Sequence, residues 1–229
     1  MPQPVPVVFI PALLCDGALY AGVIEALGDA ITPHVLMSPK PRLDDSVTDI
    51  LSRAPAQFAL VGTSYGGNLA MEVALAAPER VTALWLMGCD PAAPAAGGPD
   101  LAGGLAATPD AVIGMLAGLV VHKDAAAAAT FRDMAHRVGG PAGADQARAL
   151  AARQEATSRP GALHMPALVL WGQDDLLVPM AVGHGLADAL PHAHFHALPG
   201  CGHLPTLEQP VEAAALFAEF LQDEAQRAH

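Results

Sequence analysis

Short apolar segments rich in β-branched residues alternate along the chain with longer stretches rich in Ala, Leu and Glu. The apolar segments have the length of buried strands, and the intervals between them can hold helices that connect parallel strands. Strands are predicted at Val5–Ile10, more weakly at Thr32–Met37, and at Gln57–Gly62, Val81–Gly88, Ala167–Gly172 and His192–Leu198. The pattern predicts an α/β fold with a mostly parallel, doubly wound sheet.

Helices are expected to fill the intervals between these strands. One should begin just after Ser64 and end near Pro78, and the last, from Val211, has the amphipathic pattern of a helix that packs on a core. Ser46 precedes Asp49 by three residues, a spacing typical of a capping box, so a helix is expected to open there.

The alternation of strands and helices stops between residues 91 and 163, where no strand pattern occurs. The first part of this block, PAAPAAGGPDLAGG, is rich in Pro, Ala and Gly and indicates a mobile connection. Thr108 and Pro109 then suit the N-cap and the first position of a helix. Further helices are expected at about 124–138 and 144–157, separated by Gly139, Gly140 and Pro141.

Residues 91–163 are therefore expected to form a helical lid, inserted into a core made of residues 1–90 and 164–229. Ligands bind at the C-terminal edge of the strands in open α/β sheets, and a helical insertion there would cover that edge. A chain of 229 residues, 52% of them hydrophobic, can bury such a core as one compact unit.

Charge and composition narrow the class of partner. The chain has 23 acidic and 11 basic side chains, and the formal charge of −12 would repel nucleic acid and anionic membranes. The N-terminus lacks the basic region of a secretory signal, and Ala111–Val121 is far shorter than the roughly 20 residues of a membrane-spanning helix. A cytoplasmic protein that binds neither nucleic acid nor membrane is expected.

The cysteines and a run of alternating histidines suggest neither a disulfide framework nor a metal site. Cys15, Cys89 and Cys201 are scattered in a pattern that fits no zinc motif, so reduced thiols that pack as small apolar residues are expected. His192, His194 and His196 would share one face of a strand, and we interpret that face as the exposed side of an edge strand rather than a metal site.

The segment Gly62-Thr63-Ser64-Tyr65-Gly66-Gly67 connects a predicted strand directly to a predicted helix. This is the context of a nucleophile elbow, a tight turn in which glycines avoid clashes and a serine is exposed above the sheet. The alternative is a glycine-rich turn whose serine caps the helix. Because the strand and the helix both flank the motif directly, we favour Ser64 as a nucleophile.

A serine nucleophile requires a base that takes its proton and an acid that orients the base. His203 lies in the glycine-rich segment GCGHLPTLEQP, after the last predicted strand. Asp174 and Asp175 lie in WGQDDLLVP after the preceding strand, and Asp90 follows another strand and is a further candidate acid. The order serine, acid, histidine agrees with that of α/β-hydrolases.

On these motifs the chain resembles the α/β-hydrolases, and among them the small lidded carboxylesterases that include the pimeloyl-carrier-protein methyl esterases. The acid loop of that family reads Gly-x-x-Asp-x-x-x-Pro, and the matching residues here are Gly172, Asp175 and Pro179. The histidine loop reads Gly-x-Gly-His with a later proline, and the matching residues are Gly200, Gly202, His203 and Pro210. The resemblance thus implies a triad of Ser64, Asp175 and His203.

An oxyanion hole needs two backbone N–H groups aimed at the carbonyl oxygen that becomes negative. One is expected from Tyr65, the residue after the nucleophile. By resemblance, the other comes from Leu13, although Pro11 and Ala12 stand where relatives have His and Gly.

The resemblance implies a serine hydrolase that cleaves carboxylic esters of small molecules through an acyl-enzyme intermediate, with no metal or organic cofactor. Trp171, Met115 and Leu116, with the Tyr65 side chain, are candidates to line the acyl pocket, and core packing is the alternative for Met115 and Leu116. The same scaffold also supports thioesterase, lactonase and carbon–carbon hydrolase chemistry, and a slow-turnover receptor for a small ligand is the non-enzymatic alternative.

Overall fold

A computed structural model describes residues 3–95 and 97–227, which contain a six-stranded sheet in the order β2-β1-β3-β4-β5-β6. The strands are β1 Val5–Ile10, β2 Ile31–Val35, β3 Phe58–Thr63, β4 Val81–Met87, β5 Ala167–Gly172 and β6 Ala193–Leu198. Every pairing between them is parallel. The strand predictions are confirmed to within about two residues at either end, because each apolar run is bounded by residues that disfavour strands.

Helices cover both faces of the sheet. They are α1 Ala21–Leu27, α2 Leu43–Arg53, α3 Tyr65–Ala76, α4 Leu101–Ala107, α5 Pro109–Ala117, α6 Ala125–Val138, α7 Gly140–Ala151, α8 Met180–Ala189, α9 Pro205–Glu208 and α10 Pro210–Arg227. Alternate residues of a strand face opposite cores, so that Val7 and Phe9 pack in one core and Val8 and Ile10 in the other. Within the described residues, no helix is both long enough and apolar enough to cross a membrane.

The capping box predicted at Ser46 is wrong. The helix begins at Leu43, with Asp44 and Asp45 in its first turn, where negative charge is favourable. The Ser46 side chain is buried and donates a hydrogen bond to the carbonyl oxygen of Ser38 at 2.6 Å. Ser46 therefore anchors the loop before the helix instead of capping it.

The described residues between β4 and β5 form four α-helices, one more than predicted. The segment interpreted as a mobile connection includes the start of α4, because the Asp100 carboxylate accepts the N–H of Gly103 at 2.8 Å and Leu105 is fully buried. Pro109 opens α5 as expected, but the Thr108 side chain makes no capping bond. Helix α7 begins at Gly140 and ends at Ala151, so only Gly139, at φ +81°, separates it from α6.

Two contacts tie this helical block to the loop after β1. The Gln146 side chain of α7, 2% exposed, accepts the backbone N–H of Leu14 at 3.0 Å. The Arg137 guanidinium of α6 binds both carboxylate oxygens of Asp16, at 2.7 and 3.1 Å. Partial burial raises the pKa of Asp16, but the hydrogen bonds from Arg137 and from the N–H of Ala18 outweigh burial and lower the pKa overall.

Replacing Gln146 with leucine is expected to lower the free energy of unfolding by about 1–3 kcal/mol. The leucine fills a similar volume but leaves the buried N–H of Leu14 without an acceptor. Denaturant unfolding measures the loss, and Gln154→Leu, at an exposed site beyond the end of α7, is the matched control. Equal stability of the two variants would contradict the importance of the Gln146 contact.

Candidate active site

Ser64 occupies the sharp turn between β3 and α3. Its backbone has φ +56° and ψ −117°, a conformation that residues other than glycine rarely adopt. Its N–H donates to the carbonyl oxygen of Met87 at 2.7 Å. A Cβ at Gly66 would lie 2.0 Å from the carbonyl oxygen of Ile10, so only glycine permits this close approach of α3 to β1. The turn has the local geometry of a nucleophile elbow.

His203 and Asp175 form a buried pair. The Nδ1 atom of His203 lies 2.7 Å from Oδ2 of Asp175, and the two side chains are 3% and 1% exposed. Since an ionised carboxylate can only accept, Nδ1–H donates in this bond and Nε2 is left to face another partner. The other carboxylate oxygen of Asp175 accepts the N–H groups of Leu177 and Val178 at 2.8 and 2.9 Å. These bonds fix the orientation of both the carboxylate and the imidazole.

The two alternative acids have other partners. The Asp174 carboxylate accepts the N–H of Gly200 at 3.1 Å and lies 3.9 Å from Nε2 of His122. The Asp90 carboxylate accepts the N–H of Ala92 at 2.9 Å. Of the three candidate carboxylates, the structure therefore pairs only Asp175 with His203.

Ser64 and His203 line the same cavity. The loop after β1, the acid loop and the histidine loop contribute to its wall, as does the helical block between β4 and β5. The other described residues that line it are all apolar: Ala12, Leu13, Leu116, Val120, Phe131, Leu177 and Leu204. The structure thus brings the candidate nucleophile and the candidate base to one apolar cavity.

Gly88 makes room for the imidazole. It follows β4 with φ +56°, and a Cβ there would lie 2.8 Å from Cε1 and 3.0 Å from Nδ1 of His203. The sequence motifs indicated no role for Gly88. A glycine directly at the carboxyl end of a buried strand was the only signal that could have indicated one.

The two candidate oxyanion amides lie on the loops that meet at this cavity. Leu13 lines the cavity and belongs to a tight turn in which the N–H of Cys15 donates to the carbonyl oxygen of Ala12 at 3.0 Å. Tyr65 is the first residue of α3, where backbone N–H groups have no partner within the helix. Within residues 3–95 and 97–227, neither N–H has an acceptor.

Only one of the candidate pocket side chains lies on the cavity. Leu116 lines it, whereas Met115, the preceding residue of α5, points elsewhere on the helix and is 48% exposed. Trp171 is fully buried in the opposite core, where it packs on Gly183 and its Nε1–H donates to the carbonyl oxygen of Val178. The Tyr65 hydroxyl donates to the carbonyl oxygen of Ser38, so this ring also points away from the cavity.

The cysteines are free and buried. Burial raises the pKa of the Cys15 and Cys201 thiols far above the ordinary range, and that of Cys89 to about 12.

The alternating histidines lie at or next to β6, the edge strand of the sheet, and His196 is exposed. In the part of the chain that the structure describes, no three His, Cys, Asp or Glu side chains are grouped so that they could hold a metal ion.

A family model described as the alpha/beta hydrolase family matches residues 8–216. The chain belongs to this family. A pimeloyl-[acyl-carrier protein] methyl ester esterase of Chromobacterium violaceum is 27% identical, over 91% of this chain and 91% of that protein. A 2-hydroxy-6-oxononadienedioate/2-hydroxy-6-oxononatrienedioate hydrolase of Cupriavidus pinatubonensis is 32% identical, over 71% of this chain and 61% of that protein.

Solved structures of other alpha/beta hydrolases share the fold across almost the whole chain. An esterase of Thermogutta terrifontis superposes with a TM-score of 0.84 at 20% identity, covering 97% of this chain and 91% of that one. An enol-lactonase of Burkholderia xenovorans gives the same TM-score and identity, covering 96% of this chain and 92% of that one. The sequence relatives of this alpha/beta hydrolase therefore include a methyl ester esterase and a 2-hydroxy-6-oxononadienedioate/2-hydroxy-6-oxononatrienedioate hydrolase, and the solved structures share its fold.

Proposed function

We propose that this alpha/beta hydrolase is a serine esterase that cleaves carboxylic esters through an acyl-enzyme intermediate. The observation that carries the proposal is the convergence of Ser64, at the strained turn after β3, and His203, oriented by Asp175, on one cavity. A hydroxyl, an imidazole and a buried carboxylate in this arrangement are the parts of a catalytic triad.

In the proposed reaction, Ser64 Oγ attacks the ester carbonyl carbon while Nε2 of His203 accepts its proton. Asp175 holds the imidazole and stabilises its positive charge, and the N–H groups of Leu13 and Tyr65 bind the negative oxygen of the tetrahedral intermediate. His203 then returns the proton to the alcohol as it leaves. A water molecule, deprotonated by the same imidazole, releases the acid and regenerates Ser64.

The helical block of residues 91–163 is proposed to act as a lid that shapes the acyl pocket. Leu116 of α5 and Phe131 of α6 line the cavity, as does Val120 between these helices. An acyl chain in the cavity would therefore lie between the lid and the loops that carry the catalytic groups.

The lining of the cavity favours an uncharged acyl group. Among the described residues that line it, Ser64 and His203 alone carry polar side chains. A carboxylate moved into such a site would lose its hydration without gaining a cation, at a cost of several kcal/mol. This lining disfavours dianionic substrates of the kind named for the Cupriavidus hydrolase, and it favours the ester reaction over that carbon–carbon cleavage.

Ethyl pentanoate and monoethyl succinate test the proposal as a matched pair, because their acyl chains are of similar length and differ in the terminal charge. We expect kcat/KM to be at least about 100-fold higher for the neutral ester, since each 1.4 kcal/mol of unfavourable burial corresponds to about a tenfold change. Acid release in a pH-stat measures both rates.

Two results would contradict the proposal in different ways. Equal kcat/KM values for the two esters would contradict the neutral acyl pocket but not the esterase. Absence of turnover, combined with a rise in melting temperature on ester binding, would favour the small-ligand receptor.

A further inference from the structure

The carboxylate of Glu208, at the end of α9, binds backbone N–H groups from two separate segments of the chain. Both of its oxygens lie 3.0 Å from the N–H nitrogen of Gly202, and Oε1 lies 3.2 Å from that of Leu204. Oε2 accepts the N–H of His122 at 2.7 Å. Gly202 and Leu204 flank His203, whereas His122 belongs to the helical block between β4 and β5.

A direct backbone contact joins the same two segments. The N–H of His203 donates to the carbonyl oxygen of Val120 at 3.1 Å, and Val120 lines the cavity. The three consecutive N–H groups of residues 202–204 are thus all held, two by Glu208 and one by Val120. A Cβ at Gly202 would lie 2.8 Å from the nitrogen of His122, so the segments pack backbone against backbone.

Glu208 does not itself line the cavity that holds Ser64 and His203. Its carboxylate is partly buried, and burial is the main reason why its pKa is raised overall. The charge of Asp124 raises the pKa further, whereas the three N–H donors lower it. A partly buried carboxylate that receives several N–H bonds, as this one does, fixes the backbone that carries those donors. The position of Glu208 suits a role in holding the histidine loop, not in chemistry.

We propose that Glu208 is a positioning residue of the esterase: it locks the backbone on both sides of His203 and ties that loop to segment 120–122 of the lid. The hydrogen bond to Asp175 fixes the orientation of the imidazole ring, and Glu208 fixes the main chain from which the ring projects. A displacement of about 1 Å of a catalytic group can cost on the order of 100-fold in rate. The proposal rests on the ester hydrolysis proposed above.

The test variant is Glu208→Gln, and Glu212→Gln is the matched control. Glutamine keeps the shape of the side chain, but its amide group presents hydrogens to at least one of the backbone N–H donors. Glu212 is exposed in the first turn of α10, so its replacement removes the same charge nearby without touching the histidine loop.

Active-site titration with a fluorophosphonate separates positioning from a loss of folded protein. For Glu208→Gln we expect kcat per titrated site to fall by about 10- to 100-fold, with KM changed by less than about threefold. The control should match the unmodified protein in both. A lower number of titratable sites, each with the normal kcat, would show a merely structural role and overturn the proposal.

Hydrogen exchange in the unmodified protein provides an independent measurement if the variant does not fold. Because one carboxylate holds the N–H groups of His122, Gly202 and Leu204, a single opening event should expose all three, and their protection factors should agree within about fivefold. Widely different protection of the lid amide and the histidine-loop amides would overturn the proposal. If the unmodified protein hydrolysed no ester, that result would instead contradict the proposed esterase activity, so the two failures are distinguishable.

Discussion

Replacing Ser64 with alanine is expected to lower kcat for ethyl pentanoate by about 10⁴-fold or more. The substitution removes the atom that forms the acyl-enzyme and leaves only the binding and oxyanion contributions. Alanine tolerates the positive φ at this turn no better and no worse than serine, so the backbone strain is the same in both proteins. The measurement is kcat by pH-stat, with circular dichroism to verify that the variant is folded.

Covalent labelling provides the control for this prediction. A fluorophosphonate should label the unmodified protein at one residue, identified as Ser64 by peptide mapping, and should not label Ser64→Ala. Ser52→Ala, at an exposed serine of α2, should keep both labelling and activity. Activity of the Ser64 variant within tenfold of the unmodified enzyme would show that another group is the nucleophile.

The loops that carry the site could be predicted because each follows a strand that the sequence pattern predicts. Ser64 follows β3, and the loops of Asp175 and His203 follow the neighbouring strands β5 and β6. Parallel strands place their carboxyl ends at one edge of the sheet, so residues far apart in sequence meet there. Local pattern and topology predicted where these loops meet, whereas the choice of Asp175 over Asp174 and Asp90 came from the resemblance to the family.

The errors occurred where the sequence pattern does not determine which face a side chain occupies. Both faces of β5 are apolar, as is typical of a buried parallel strand, so alternation could not show that Trp171 faces the core opposite the cavity. Met115 and Leu116 are both apolar neighbours on α5, and only the packed structure distinguishes the exposed one from the one on the cavity. In the segment before α5, the glycines and prolines indicated a loop, so the helix cap at Asp100 and the burial of Leu105 were not predicted.

The contacts that join the helical block to the catalytic loops had no signal in the sequence. Leu14 and Gln146 are 132 residues apart, and His122 and Glu208 are 86 residues apart. Every residue except proline has the same backbone N–H donor, so the local sequence does not indicate which distant group accepts its hydrogen bond. These contacts make the block part of the site, because it is attached both to the loop of Leu13 and to the loop of His203.

Replacing Asp175 with asparagine is expected to lower kcat by about 10⁴-fold, with a smaller effect on KM. The carboxylate accepts three donors: Nδ1–H of His203 and the N–H groups of Leu177 and Val178. An asparagine has only one acceptor oxygen, so its NH₂ group must face a donor in either orientation. If the oxygen stays on the two backbone groups, the NH₂ group favours a proton on Nε2 of His203, and the imidazole can no longer act as a base towards Ser64.

Asp174→Asn is the matched control for Asp175, because it makes the same chemical change one residue away. The Asp174 carboxylate binds the N–H of Gly200 and does not contact the His203 ring, so we expect kcat to fall by less than about tenfold. Steady-state kinetics of both variants, with active-site titration, measures the difference. A large loss in Asp174→Asn with normal activity in Asp175→Asn would assign the orienting acid to Asp174 and contradict the role proposed for the buried pair.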